Sequence, residues 1–112
     1  MLTKKNLIKV LADIPIVLSA LGVEVERMVM FGSYAKGNVG PYSDLDVAIW
    51  SPHFSGLGLQ DIELYQPLLR KYPMLDIKTF ASGATANEDP FLEEIENTGF
   101  EISLHEEEIG FK

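Results

Sequence analysis

Two aspartates one residue apart, Asp44 and Asp46, head the apolar run Leu45-Asp46-Val47-Ala48-Ile49-Trp50. In a strand the period of two puts both carboxylates on one face, with Leu45, Val47 and Ile49 lining the other. Like charges held side by side stay ionised cheaply only if solvent or a cation lies between them. Hard oxygen ligands of this kind suit Mg²⁺, which takes one or two carboxylates and completes its octahedron with waters and substrate phosphates. Taken alone, an Asp-x-Asp also reads as an exposed strand start facing water.

The residues upstream add a second chemistry. A strand ending at Gly32, followed by Ser33 at a helix start, presents backbone N–H groups and a hydroxyl to an anion, and glycine lets a phosphate approach the backbone closely. An anion cradle and a cation cradle on one unit are both satisfied by a metal-bound nucleoside triphosphate. A third acid, Asp76, falls in the run Met74-Leu75-Asp76-Ile77-Lys78-Thr79-Phe80, with Leu75, Ile77 and Thr79 on the opposite face. It reads either as a carboxylate that binds the catalytic metal and activates an attacking hydroxyl, or as half of an Asp76/Lys78 surface pair of little energetic value.

These groups need a frame, and the sequence supplies one. Thr3 is placed to cap a first helix carrying Leu7, Ile8, Val10 and Leu11, which Pro15 is expected to break, with Asp13 capping a second short segment that Gly22 ends. A strand over Val23 to Phe31, a helix start over Ser33 to Lys36 and a strand over Asp44 to Trp50 follow. Leu59 to Lys71 reads as an amphipathic helix with Ile62, Leu64, Tyr65, Leu68 and Leu69 buried, and Met74 to Phe80 as a third strand. Asp89 then caps Pro90 at the first position of a helix whose apolar face is Phe91, Leu92 and Ile95, and Phe100 to Leu104 is a last strand. Alternating helix and strand signals predict an α/β fold.

At this point the pattern Gly32-Ser33-x10-Asp44-x-Asp46, with Gly37 and Ser43 in place, resembles the signature of the DNA polymerase β-like nucleotidyltransferase superfamily. Within it the chain is similar to minimal nucleotidyltransferase (MNT) domain proteins. The motif covers about Phe31 to Ile49, and the likeness extends more loosely to the Asp76 strand and the ending PFLEEIENTGFEI. The resemblance implies a mixed β-sheet flanked by helices, Gly32 and Ser33 on nucleotide phosphates, and Asp44, Asp46 and Asp76 holding two Mg²⁺ ions for in-line attack on an α-phosphate. Lys36 stands where many relatives carry arginine, which keeps a phosphate-binding charge but not a planar fork. Lys78, on the face of Asp76, is a candidate competitor for the metal. The resemblance further implies an adenylyltransferase that uses ATP or another NTP. Its acceptor would be a HEPN-type partner protein, within a toxin–antitoxin pair in which this chain is the antitoxin. The competing reading is a binding module that neutralises a partner by contact with little or no turnover.

Composition limits the field. A chain of 112 residues, 46% hydrophobic and 23% charged, is expected to fold as one domain over residues 1–112, leaving no room for an acceptor-binding second domain. A net charge of −8 argues against long nucleic acid as a partner. The acidic residues from Glu88 to the run Glu106, Glu107, Glu108 read as a solvated tail or a contact for a basic partner. With no cysteine, any metal must sit on oxygen or imidazole ligands. The apolar run from Ile14 to Gly22 is too short to span a bilayer and no cleavage pattern follows, so a cytoplasmic protein is expected, with self-association left open. His53 and His105 read as surface or edge residues, Trp50 as sheet packing or a base-stacking ring, and Tyr34 as exposed with no assigned role.

Overall fold

The computed structural model describes residues 2–87 and 89–104, so His105, Glu88 and the acidic run Glu106 to Glu108 lie outside the described residues. Eight elements follow in order: α1 (Lys4–Ala20), β1 (Arg27–Phe31), α2 (Ser33–Lys36), β2 (Leu45–Ser51), α3 (Gly58–Lys71), β3 (Leu75–Ala81), α4 (Pro90–Thr98) and β4 (Phe100–Ile102). The four strands form one mixed sheet in the order β3-β2-β1-β4. β1 pairs antiparallel with β2 and β4, while β2 and β3 run parallel, with α3 as the long crossover that a parallel pair requires.

One face of the sheet is dry. Met28 and Met30 of β1, Leu45, Val47 and Ile49 of β2 and Ile102 of β4 meet Leu7, Val10, Leu11, Ile14 and Leu18 of α1 and Tyr65 and Leu68 of α3. The strand period of two does this directly, since every second residue of β2 enters that core. The opposite face carries a smaller cluster, in which Val29, Ala48, Trp50 and Phe80 pack under Leu92 and Ile95 of α4. Trp50 is buried and stacks on Phe80 at 4.8 Å, so it is a packing residue and not an open platform for a base. Arg27 covers its other side at 4.4 Å and is tied to Glu101 and Glu96 at 2.8 Å each.

Several local expectations change. α1 continues through Pro15, because the stripe Leu7, Leu11, Ile14, Leu18 buries on both sides of the proline and offsets the one hydrogen bond it removes. Asp13 therefore caps nothing; its carboxylate takes hydrogen bonds from Lys71 at 2.6 Å and Tyr72 at 2.5 Å, joining α1 to the end of α3. Thr3 and Asp89 cap their helices as expected, accepting from the N–H groups of Asn6 and Phe91. The first strand is shorter than the alternation suggested, and β4 stops at Ile102. Leu64 and Phe91 are exposed, and α3 buries Asp61 instead.

Asp61 is 2% exposed. Its oxygens accept from the N–H of Ser55 (2.8 Å) and of Gly56 (3.0 Å) and from the hydroxyls of Ser55 (2.9 Å) and Thr79 (2.6 Å). Burial alone would raise its pKa, but the four donors reverse that and leave it below the usual carboxylate value. One buried charge thus fastens the 55–56 loop and the start of α3 to β3. We expect Asp61→Ala to cost about 3 kcal/mol by urea unfolding at neutral pH, because it strands donors that only a carboxylate satisfies together. The sign in pH follows from the lowered pKa: this stabilisation is complete above the usual value of 3.8 and is lost as the pH falls through the folded-state value, so the gap between wild type and variant narrows in acid.

Candidate active site

β1 delivers the chain into Gly32, which adopts φ 70° and ψ −148°, a region open essentially to glycine. A second constraint falls on the same atom: a Cβ on Gly32 would lie 2.1 Å from Oδ2 of Asp46. The Asp46 carboxylate therefore packs directly on the Gly32 backbone. The antiparallel register, with Phe31 opposite Asp46, is what brings them together.

α2 is a single turn, with the N–H of Lys36 donating to the Gly32 carbonyl and that of Asn38 to the Ser33 carbonyl, both at 3.0 Å. The N–H groups that open a helix have no carbonyl one turn back, so those of Ser33, Tyr34 and Ala35 stand at the same mouth as the Ser33 hydroxyl. Four residues are too few for a helix dipole to count, and any anion here would rest on these local donors. Tyr34 differs from expectation: it is half-buried against the main core, and its hydroxyl accepts from the N–H of Leu2 at 3.0 Å.

Asp44 lies just before β2 and is exposed, so it does not share the strand's alternation as the sequence suggests. The turn from Gly40 to Ser43 presents it, closed by the Gly40 N–H on Ser43 Oγ at 2.8 Å and the Ser43 N–H on the Gly40 carbonyl. Ser43 is thus a positioning residue that spacing alone did not explain. Asp46 is half-buried on β2, and the parallel register sets Asp76 of β3 directly opposite it.

The electrostatics of that pair are unfavourable by construction. Burial, then the charge of Asp76, then a hydrogen bond with Asp76 and the charge of Asp44, push the Asp46 carboxyl up to about 6. Lys78 does not relieve it. Its ammonium pairs with Asp89 at 3.6 Å and lies 5.7 Å from the rings of both Phe80 and Phe91, so the expected competition for Asp76 is not the contact it makes. Lys36 is exposed at the end of α2 and lies 3.8 Å from Glu94 of α4, beside a groove of about 180 Å³ that Gly32 also lines. A wider groove of about 560 Å³, lined in part by His53, Ser19 and Glu24, lies at the other end of β2 and contains none of these carboxylates.

No three acidic or imidazole side chains among the described residues converge into a ready metal cage. What the chain offers is a close pair, Asp46 and Asp76, with Asp44 acting on it through charge. That donor set fits Mg²⁺, which keeps waters and substrate oxygens in most of its positions and needs only one or two carboxylates. A half-buried acid pushed up to about 6 by burial and then by its like-charged neighbour gains most from a divalent cation between the two.

Two outcomes follow. Gly32→Ala forces both a strained backbone and a displaced Asp46, and we expect a loss of about 2 kcal/mol in denaturant unfolding together with loss of any cation-dependent rise in Tm. Asp46→Asn should instead stabilise the cation-free protein by about 1 kcal/mol at pH 7, after allowance for screening by solvent. The sign is that of an acid whose pKa is higher folded than unfolded: wild type loses stability as the pH rises from the usual 3.8 through about 6, and Tm measured across that window should show the loss in wild type and not in the variant.

A model of the nucleotidyltransferase domain family matches residues 14–109, a span that contains the Gly32 turn, Asp44, Asp46 and Asp76. A search of the curated proteins finds no match. No helix among the described residues is long and apolar enough to cross a membrane. Matched over most of its length, with the mixed sheet and the flanking helices in place, the chain belongs to the nucleotidyltransferase domain family.

Proposed function

We propose that this chain is a Mg²⁺-dependent nucleotidyltransferase that moves a nucleoside monophosphate, AMP from ATP in the reading we favour, onto an acceptor hydroxyl. The observation that carries the proposal is the Asp46–Asp76 pair, with Asp46 packed on Gly32 and no cation among the described residues offsetting its neighbours' charge. Asp46, Asp76 and Asp44 would hold the metal. When bound, Mg²⁺ supplies positive charge at the attacking and leaving oxygens.

The chain's own residues then divide the work. The N–H groups and hydroxyl at Ser33, with Lys36 beyond them, hold the terminal phosphates, and Gly32, having no side chain, leaves Asp46 its place beside that turn. Asp76, exposed and facing Asp46, orients the acceptor hydroxyl and draws its proton as oxygen attacks the α-phosphorus. The new O–P bond forms in line with the breaking bond to the bridging oxygen, and pyrophosphate leaves. Positioning and charge stabilisation supply the rate.

For the acceptor we propose a HEPN-type partner protein, with this chain as the antitoxin of the pair. Support for that partner comes from the resemblance of the Gly32 to Asp46 motif to MNT proteins. The test is transfer of label from α-³²P-ATP, with Mg²⁺, to a co-purified or genetically adjacent partner. We expect labelled partner with wild type and a fall of about a thousandfold with Asp46→Asn or Asp76→Asn, with EDTA abolishing transfer. Equal binding of the partner by all three proteins without label would replace the enzyme by a module that acts through contact.

A further inference from the structure

Two lysines near the candidate site are held by acidic residues of one segment: Lys36 by Glu94 at 3.8 Å and Lys78 by Asp89 at 3.6 Å. Asp89 is occupied as the N-cap of α4, but Glu94 has no such duty. It projects from a helix fixed by the buried Leu92 and Ile95, and it is itself largely exposed, at 56% for the side chain. Glu94 and Lys36 line one groove of about 180 Å³, with Phe31, Gly32, Phe91 and Thr98 among its walls. Gly32, on which Asp46 packs, is thus a wall of the groove that holds Lys36 and Glu94, so a phosphate bound by Lys36 would lie beside the Glu94 carboxylate.

We propose that Glu94 is an intramolecular stand-in for nucleotide phosphate: it occupies Lys36 in the free protein, is displaced when the phosphates bind, and thereby sets nucleotide affinity. This rests on the reading of Lys36 as a phosphate-binding residue. An exposed ion pair is weak, which suits an occupant that must leave. Glu94 therefore lowers affinity by competing for Lys36, and its effect depends on the Lys36 ammonium being there to occupy.

The test is calorimetric binding of ATP and of adenosine, with Mg²⁺, to wild type, Glu94→Gln, Lys36→Ala and the double variant. We expect Glu94→Gln to tighten ATP about fivefold, to leave adenosine unchanged, and to have no more than a small effect once Lys36 is alanine. The same tightening in the Lys36→Ala background would overturn the proposal, because the effect would then be general charge repulsion. Unchanged or weaker ATP binding by Glu94→Gln, with Lys36→Ala still impairing ATP, would overturn the stand-in while leaving Lys36 a phosphate ligand. No effect of Lys36→Ala on ATP would overturn the reading of Lys36 on which the proposal depends.

Discussion

The parallel register of β2 on β3, which sets Asp46 against Asp76, is the constraint to which the rest of the molecule answers. A half-buried carboxylate and an exposed one repel, and in a small domain such repulsion would ordinarily be relieved by slipping the strand or turning a side chain outward. Neither route is open. Leu45, Val47 and Ile49 are fully buried on the other face of β2, and a one-residue slip would drive all three out of the core. Outward rotation of Asp46 is limited by Gly32, whose backbone lies against the carboxylate. The apolar core therefore acts as a clamp, using hydrophobic burial to hold an arrangement that electrostatics disfavours.

The two ends of the sheet's second face are treated oppositely. At the far end, Arg27 stacks on Trp50, Trp50 stacks on Phe80, and Glu96 and Glu101 neutralise the guanidinium. Every charge there has a partner and every ring is covered. At the near end, two residue pairs of β2 and β3 from Ala48 and Lys78, the charges acting on Asp46 among the described residues are those of Asp76 and Asp44. α4 covers the first region with Leu92 and Ile95 and brings Phe91, Glu94 and Thr98 to the edge of the second. The helix thus ends the packed region and borders the candidate site, and the contrast between the two ends is what singles out the near one.

Much of this was legible from residue order, and the exceptions share a cause. The alternation in the Leu45 to Ile49 run named the buried face, Thr3 and Asp89 marked helix starts through their local hydrogen bonds, and the Gly-Ser pair marked the turn. All of these depend on neighbours within a few residues. Asp61 does not stand out in the helical pattern, because its donors at Thr79 and in the 55–56 loop come from elsewhere in the fold. Pro15 read as a break because local propensity does not count the core packed on either side of it. Asp44 read as part of the strand, yet the Gly40 to Ser43 turn holds it outside. The steric role of Gly32 against Asp46 needs the antiparallel register, which periodicity does not supply.

Lys78 shows how far this selectivity reaches. Two positions along β3 from Asp76 and on the same face, it was the cation best placed by sequence to cancel that carboxylate. A chain shaped only by stability would gain from letting it do so, since one ion pair would relieve both Asp76 and, through it, Asp46. Instead Asp89, the cap of α4, draws the ammonium away at 3.6 Å, and the faces of Phe80 and Phe91 flank it at 5.7 Å. Because the residue that starts α4 also takes Lys78, the placement of that helix and the exposure of the carboxylate pair are one structural decision. The repulsion at Asp46 is thereby left unrelieved by Lys78, and in the function proposed above a divalent cation carrying nucleotide phosphates would relieve it.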